Sequence, residues 1–162
     1  MGNRAIIVFG DNNSSVYLHW NGGISSVTAF LKYCELRGFR EPDKDDYGIA
    51  RFVQIVANYF GADGLSIGIV DRPDLNDVDS YGLDNGIYVV HGWKITQHYG
   101  KMYFDKYDLT DMIIAIDVAQ PENQQLLSKQ LGDMLTPAVL DEMDDNIRKV
   151  QNNNIHNCIC DY

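Results

Sequence analysis

Residues Ala5 to Phe9 read AIIVF, an apolar run with three consecutive β-branched side chains. Such a run favours a strand, and a strand is stable only when other strands and a covering layer bury it. After the polar tract Gly10 to Ser15, a second short run, Val16 to Trp20, supplies a partner, so the chain is expected to open with a hairpin. Asn21-Gly22-Gly23 follows, and then Val27, Phe30, Leu31 and Cys34 recur at helical spacing. Ser25 or Ser26 is the expected cap of that helix and Gly38 its stop.

A second amphipathic helix is marked by Ile49, Phe52, Val53, Val56 and Phe60, with Asp45 or Asp46 before it and Gly61 after it. Leu65 to Val70 is a short strand candidate. Residues 71 to 86, DRPDLNDVDSYGLDNG, read as a flexible loop, and their closing Asn-Gly is a turn signal. Ile87 to His98 and Lys101 to Phe104 then read as two strands joined near Tyr99-Gly100. Helical signals take over beyond: Thr110 as a cap for a segment to Ala119, Pro121 in a first turn, and Thr136-Pro137 before a helix to about Val150.

The expectation is one α+β domain over residues 1–150. It has a mixed or antiparallel sheet of about five strands packed with two N-terminal helices, and a helical subdomain over 105–150. Residues 151–162 read as a polar linker and a short C-terminal strand or tail.

The chain has 162 residues, 45% of them apolar, which is enough for a real core, and a formal charge of −10. No apolar stretch approaches a membrane span, and the start has too short an apolar run for a secretory signal, so a soluble, cytoplasmic protein is expected. An odd number of cysteines, Cys34, Cys158 and Cys160, fits a reducing compartment. The global charge repels phosphates at long range, which argues against direct nucleic-acid binding. From Asp105 onward there are 11 acids against four bases. That excess reads as a solvated helical face, or as a DNA-mimicking surface or a patch that docks on a basic partner.

The most unusual string is Tyr17-Leu18-His19-Trp20-Asn21-Gly22-Gly23, which puts an imidazole, an indole and an amide beside a glycine turn leading into a helix. Helix-start amides carry partial positive charge, glycines allow close backbone approach, and Ser25 and Ser26 add hydroxyls, so the junction is a candidate anion site. The plainer reading is that Trp20 fills the core and Gly22-Gly23 only turns the chain. A second group, Tyr88 to Tyr99, contains His91, Trp93, Lys94 and His98. If it faced the first, a tyrosine or Trp93 would stack a base and Lys94 or Arg51 would meet phosphates. His19, His91 and His98 have the chemistry for acid–base work, but the paired motifs of known phosphoesterases and hydrolases are missing. His156-x-Cys158-x-Cys160 has soft ligands without a fourth, so no metal and no cofactor is expected.

The string YLHWNGG resembles the Tyr-x-His-Trp-Asp/Asn-Gly signature of small uncharacterised proteins encoded by bacteriophages and prophages. The resemblance covers roughly residues 4 to 31, with weaker similarity at Tyr47 to Gly61 and Leu65 to Ile69, and Asn21 stands where many such strings carry Asp. It implies a phage accessory protein, a class that often counters bacterial immunity by trapping a nucleotide signal or blocking a defence protein. The expected function is therefore non-catalytic sequestration of a small nucleotide-like signal by a homo-oligomer. The alternatives are an acidic inhibitor of a host nucleic-acid-binding defence protein and, third, a histidine-dependent phosphodiesterase.

Overall fold

A computed structural model describes residues 2–61, 66–103, 107–126 and 128–155. It shows an α+β fold built on a five-stranded mixed sheet in the order β3-β2-β1-β4-β5. The strands are β1 (Ala5–Phe9), β2 (Ser14–Leu18), β3 (Ile67–Asp71), β4 (Ile87–His91) and β5 (Lys94–Tyr99). β1 pairs antiparallel with β2 as the opening hairpin and parallel with β4; the two outer pairs are antiparallel.

The AIIVF run occupies the centre of the sheet and is buried on both faces. Ala5, Ile7 and Phe9 join the main core beneath the helices. Ile6 and Val8 point to the other face and pack with Val78, Leu83 and Ile87. The polar stretch 71–86 thus differs from a bare loop. It contains a 3-10 turn, Val78–Tyr81, and presses Leu75, Val78 and Leu83 onto the sheet. Its start is held by Arg72 Nη1 donating to the Gly10 carbonyl at 2.6 Å. Three such residues in sixteen are too few to make a period, yet enough to anchor the segment across one face.

Five helices lie among the described residues: α1 (Ile24–Leu36), α2 (Asp46–Phe60), α3 (Leu109–Val118), α4 (Ser128–Met134) and α5 (Pro137–Asn152). α2 starts where Asp45 accepts from the Tyr47 and Gly48 amides, and it ends at Gly61, φ +81°. Thr136 caps α5 with Pro137 in its first turn. Two expected caps are corrected. Asp108, not Thr110, caps α3. Gly23 occupies the N-cap of α1 with no side-chain bond, and Ser25 and Ser26 lie buried inside that helix.

The expected strand Ile87–His98 is two strands. Gly92, at φ +60°, reverses the chain between His91 and Lys94, a conformation glycine adopts without steric cost. Lys101–Tyr103 form no strand, and Phe104 lies outside the described residues.

The two sheet edges are treated differently. Along β5, Asn146 of α5 donates to the Ile95 carbonyl at 3.0 Å, and Ile155 both donates to His98 and accepts from Gly100. The stretch 151–154, read from its composition as a linker, is docked there, with Asn154 bonded to the His98 ring. On the other side His19 N donates to Ser66 and Arg72 N to Asn13. The alternation therefore turns the backbone groups of Ile67, Ile69 and Asp71 outward, with no strand beyond them among the described residues. No described helix is long and apolar enough to cross a membrane.

Candidate functional site

β2 leaves the sheet at Leu18, and the chain turns into α1 through Trp20-Asn21-Gly22-Gly23. Asn21 sits at φ +55°, the one described non-glycine residue in the left-handed region. Asparagine tolerates that region better than most residues, and such outliers cluster at functional turns. Gly22 has a packing reason. A Cβ there would fall inside contact with the Asn3 carbonyl and 2.8 Å from the Ala5 Cβ. Its amide donates to Asn3 at 2.9 Å, and its carbonyl accepts from Tyr88 Oη at 2.8 Å.

The side chains of this turn form a linked array. Tyr17 Oη and His19 Nδ1 are hydrogen-bonded at 2.9 Å. The His19 ring meets Trp20 edge-on, with centroids 5.1 Å apart. Trp20 is 44% exposed, so it does not fill the core and its indole is available to solvent. The Asn21 amide donates to Ser26 Oγ at 3.3 Å and also bonds the Tyr59 hydroxyl. Burial and the neighbouring Tyr107 push the ionisation of Tyr59 up. Tyr103 is tied in through its amide to Asn85, whose side chain bonds Asn3. Tyr103 and Tyr107 are both exposed. The side chains of Trp20 and Tyr59 thus meet at the turn at the start of α1, with Tyr107 near Tyr59 and Tyr103 tied in through its backbone. Sequence reading missed the three tyrosines because they come from α2 and from segments outside regular structure, and no spacing ties them to Trp20.

Beside this array Arg4 grips Asp84 through Nε at 2.9 Å and Nη2 at 3.2 Å. That contact holds the Asp84 carboxyl at about 2.

The remaining candidates lie elsewhere. His91 is at the opposite end of the sheet, about 15 Å away along five residues of strand. There it bonds Thr96 and lines a cleft of about 490 Å³ with Gly10, Asp11, Asn12 and the acid-rich stretch Asp43–Asp46. Trp93 is only 6% exposed and donates from Nε1 to the Phe39 carbonyl at 3.1 Å; it is a core residue, with no free face to stack a base. Lys94 is paired with Glu142. Arg51, on α2, is exposed and lines a separate cleft with Gly38, Phe39, Arg40 and Tyr47.

The second aromatic string therefore does not face the first. The three described histidines share no site either, since His98 is buried with both ring nitrogens engaged by Asn154 and Asn85. Among the described residues no group of three or more His, Cys, Asp or Glu is arranged to hold a metal ion, and His156, Cys158 and Cys160 lie outside them. What the turn brings together is Tyr17, His19, Trp20, Asn21, Gly22, Gly23 and the buried Ser25 and Ser26. Flat aromatic faces ringed by amide, hydroxyl and imidazole groups suit recognition of a planar heterocycle. Neither a protein-family model, nor a curated protein, nor a solved structure matches the chain.

Proposed function

We propose that this protein binds a small nucleotide-like ligand non-catalytically, with the base on Trp20 at the start of α1. It would act as a phage-type counter-defence protein that sequesters an immune signal in the host cytoplasm. The observation that carries the reading is the exposed Trp20 ring, held edge-on by a His19 that Tyr17 itself anchors, with the Tyr59 hydroxyl bonded to Asn21 of the same turn. Stacking on such a ring is worth about 1–3 kcal/mol per base. The phage context rests on the YLHWNGG resemblance. The open edge of β3 is where a second copy would add to the sheet, in keeping with a homo-oligomer.

The chain has two tryptophans, one exposed and one buried, so Trp20 is the natural optical reporter. A panel of linear and cyclic nucleotides should quench its emission, and Trp20→Ala should weaken calorimetric affinity about 5- to 150-fold, the equivalent of that stacking range. Ligand recovered unchanged after heat denaturation supports sequestration. Recovered products would favour the phosphodiesterase, and indifference to every nucleotide with salt-sensitive binding to a basic host protein would favour the acidic inhibitor.

A further inference from the structure

We infer that the cleft between the end of α1 and the start of α2 is a second binding site, one that takes a phosphate group carried on a flat organic ring. It lies at the far end of α1 from Trp20, about 20 Å along a 13-residue helix, and stands apart from the site described above.

The cleft has a volume of about 470 Å³ and is lined by Gly38, Phe39, Arg40, Tyr47 and Arg51. In a chain of charge −10, two arginines line it, Arg40 and Arg51, and Arg37 precedes the lining residue Gly38. The acids of the same loop are turned away. Asp43 accepts from the Gly92 amide, Asp46 from Asn12, and Glu41 pairs with Lys44. Asp45 caps α2 and holds Arg40 at 3.2 Å. Arg51 bonds Gln54 and Arg37 bonds the Tyr33 hydroxyl, and neither has a carboxylate partner among the described residues. Asp43, Asp46 and Glu41 are thus engaged elsewhere, and Asp45 is the one acid of the loop that meets a cleft arginine.

The geometry is built in. A Cβ on Gly48 would sit 2.6 Å from the Pro42 Cα and 2.7 Å from its nitrogen, so only glycine lets residues 40–42 lie directly on the first turn of α2. That contact brings Arg40 over the Tyr47 ring, 5.2 Å from its centroid. Arg37 likewise lies over Phe39 at 5.6 Å. Guanidinium forks suit a phosphate better than a single carboxylate because each presents several donors in one plane. The volume exceeds what a bare ion needs, and Tyr47, 64% exposed, has a free ring surface for the flat part of the ligand.

The test is calorimetry at low and physiological salt with phenyl phosphate, methyl phosphate and inorganic phosphate. Phenyl phosphate should saturate one site per chain and bind more tightly than the other two. Arg51→Gln should weaken it at least tenfold, and Arg51→Lys, which keeps charge without the fork, should fall between. Tyr47→Ala should erase the advantage of the phenyl ring without changing methyl phosphate, and Trp20→Ala should leave all three unchanged. The inference is overturned if the wild type shows no saturable binding or if natively folded Arg51→Gln binds as tightly. It is equally overturned if physiological salt abolishes binding alike in every variant.

Discussion

Asp84→Asn isolates the ion pair that ties the start of the chain to the segment before β4. The carboxylate accepts three hydrogen bonds from Arg4: the backbone amide at 3.0 Å, Nε at 2.9 Å and Nη2 at 3.2 Å. Hydrogen bonding to Arg4 lowers the Asp84 pKa from an ordinary 3.8 to about 2. At 1.36 kcal/mol per tenfold change, that interval corresponds to an upper bound of about 2.4 kcal/mol. The side chains of Arg4 and Asp84 are 39% and 23% exposed, so solvent screening brings the expected contribution to about 1 kcal/mol. Asparagine keeps one acceptor oxygen for the Arg4 amide and Nε, and it removes the charge together with the bond that Nη2 makes to the second oxygen. Because the folded-state value is depressed, the stabilisation is fully present above the unfolded value near 3.8 and is lost as pH falls through about 2. Urea unfolding of wild type and variant should therefore differ by about 1 kcal/mol from pH 4 to 7, with the gap closing towards pH 2 and shrinking in 1 M KCl. A gap that is the same at pH 2 and pH 6 would refute the reasoning, as would no gap at pH 6.

Tyr33→Phe removes a buried 2.6 Å bond to Asp117 that joins α1 to α3, and it should cost about 1.5–3 kcal/mol in the same assay. Burial and the Asp117 bond both raise the Tyr33 pKa, so Tyr33→Phe should leave the part of the alkaline absorbance titration that comes from the exposed tyrosines unchanged. Trp93→Ala should cost about 3–5 kcal/mol whereas Trp20→Ala should cost under about 1 kcal/mol; equal costs would contradict the core and surface assignments. Sedimentation of the wild type should show a concentration-dependent dimer that Ile69→Lys, a charge at the centre of the open β3 edge, abolishes, and a wild type that stays monomeric at millimolar concentration would remove the edge as an assembly surface.

Local chemistry made much of the architecture legible. Asp45 with Gly61, and Thr136 with Pro137, bracket helices through bonds made within a few residues of themselves, so their positions follow from the chain alone. Gly92 was obscured because it sits inside VVHGWKIT, whose apolar and aromatic composition fits one long strand as well as a hairpin. Thr110 lost the cap to Asp108 because either residue type serves and only the backbone path decides. The site was less legible than the fold. Trp20 and Trp93 look alike in sequence, each beside glycine and histidine, but the Phe39 carbonyl draws one inside and leaves the other on the surface. Arg51, expected to meet phosphates beside the aromatic strings, lies instead with Arg40 and Tyr47, a grouping that depends on a loop lying across Gly48 and that no periodicity encodes.

The parallel pair at the centre of the sheet joins Ile6 to Ile87, some 80 residues apart in the chain. During synthesis at about 5–20 residues per second, AIIVF therefore waits about 4–16 s for the strand that completes it. Throughout that interval its only sheet partner is β2, and one of its edges has no backbone to bond. The slow step in folding is then set by this wait and by the entropy of closing so long a loop, not by the helices, whose caps act locally. A nascent chain stalled before residue 87 would present the most β-prone segment of the protein to its neighbours, and chaperone dependence should rise sharply for truncations ending there.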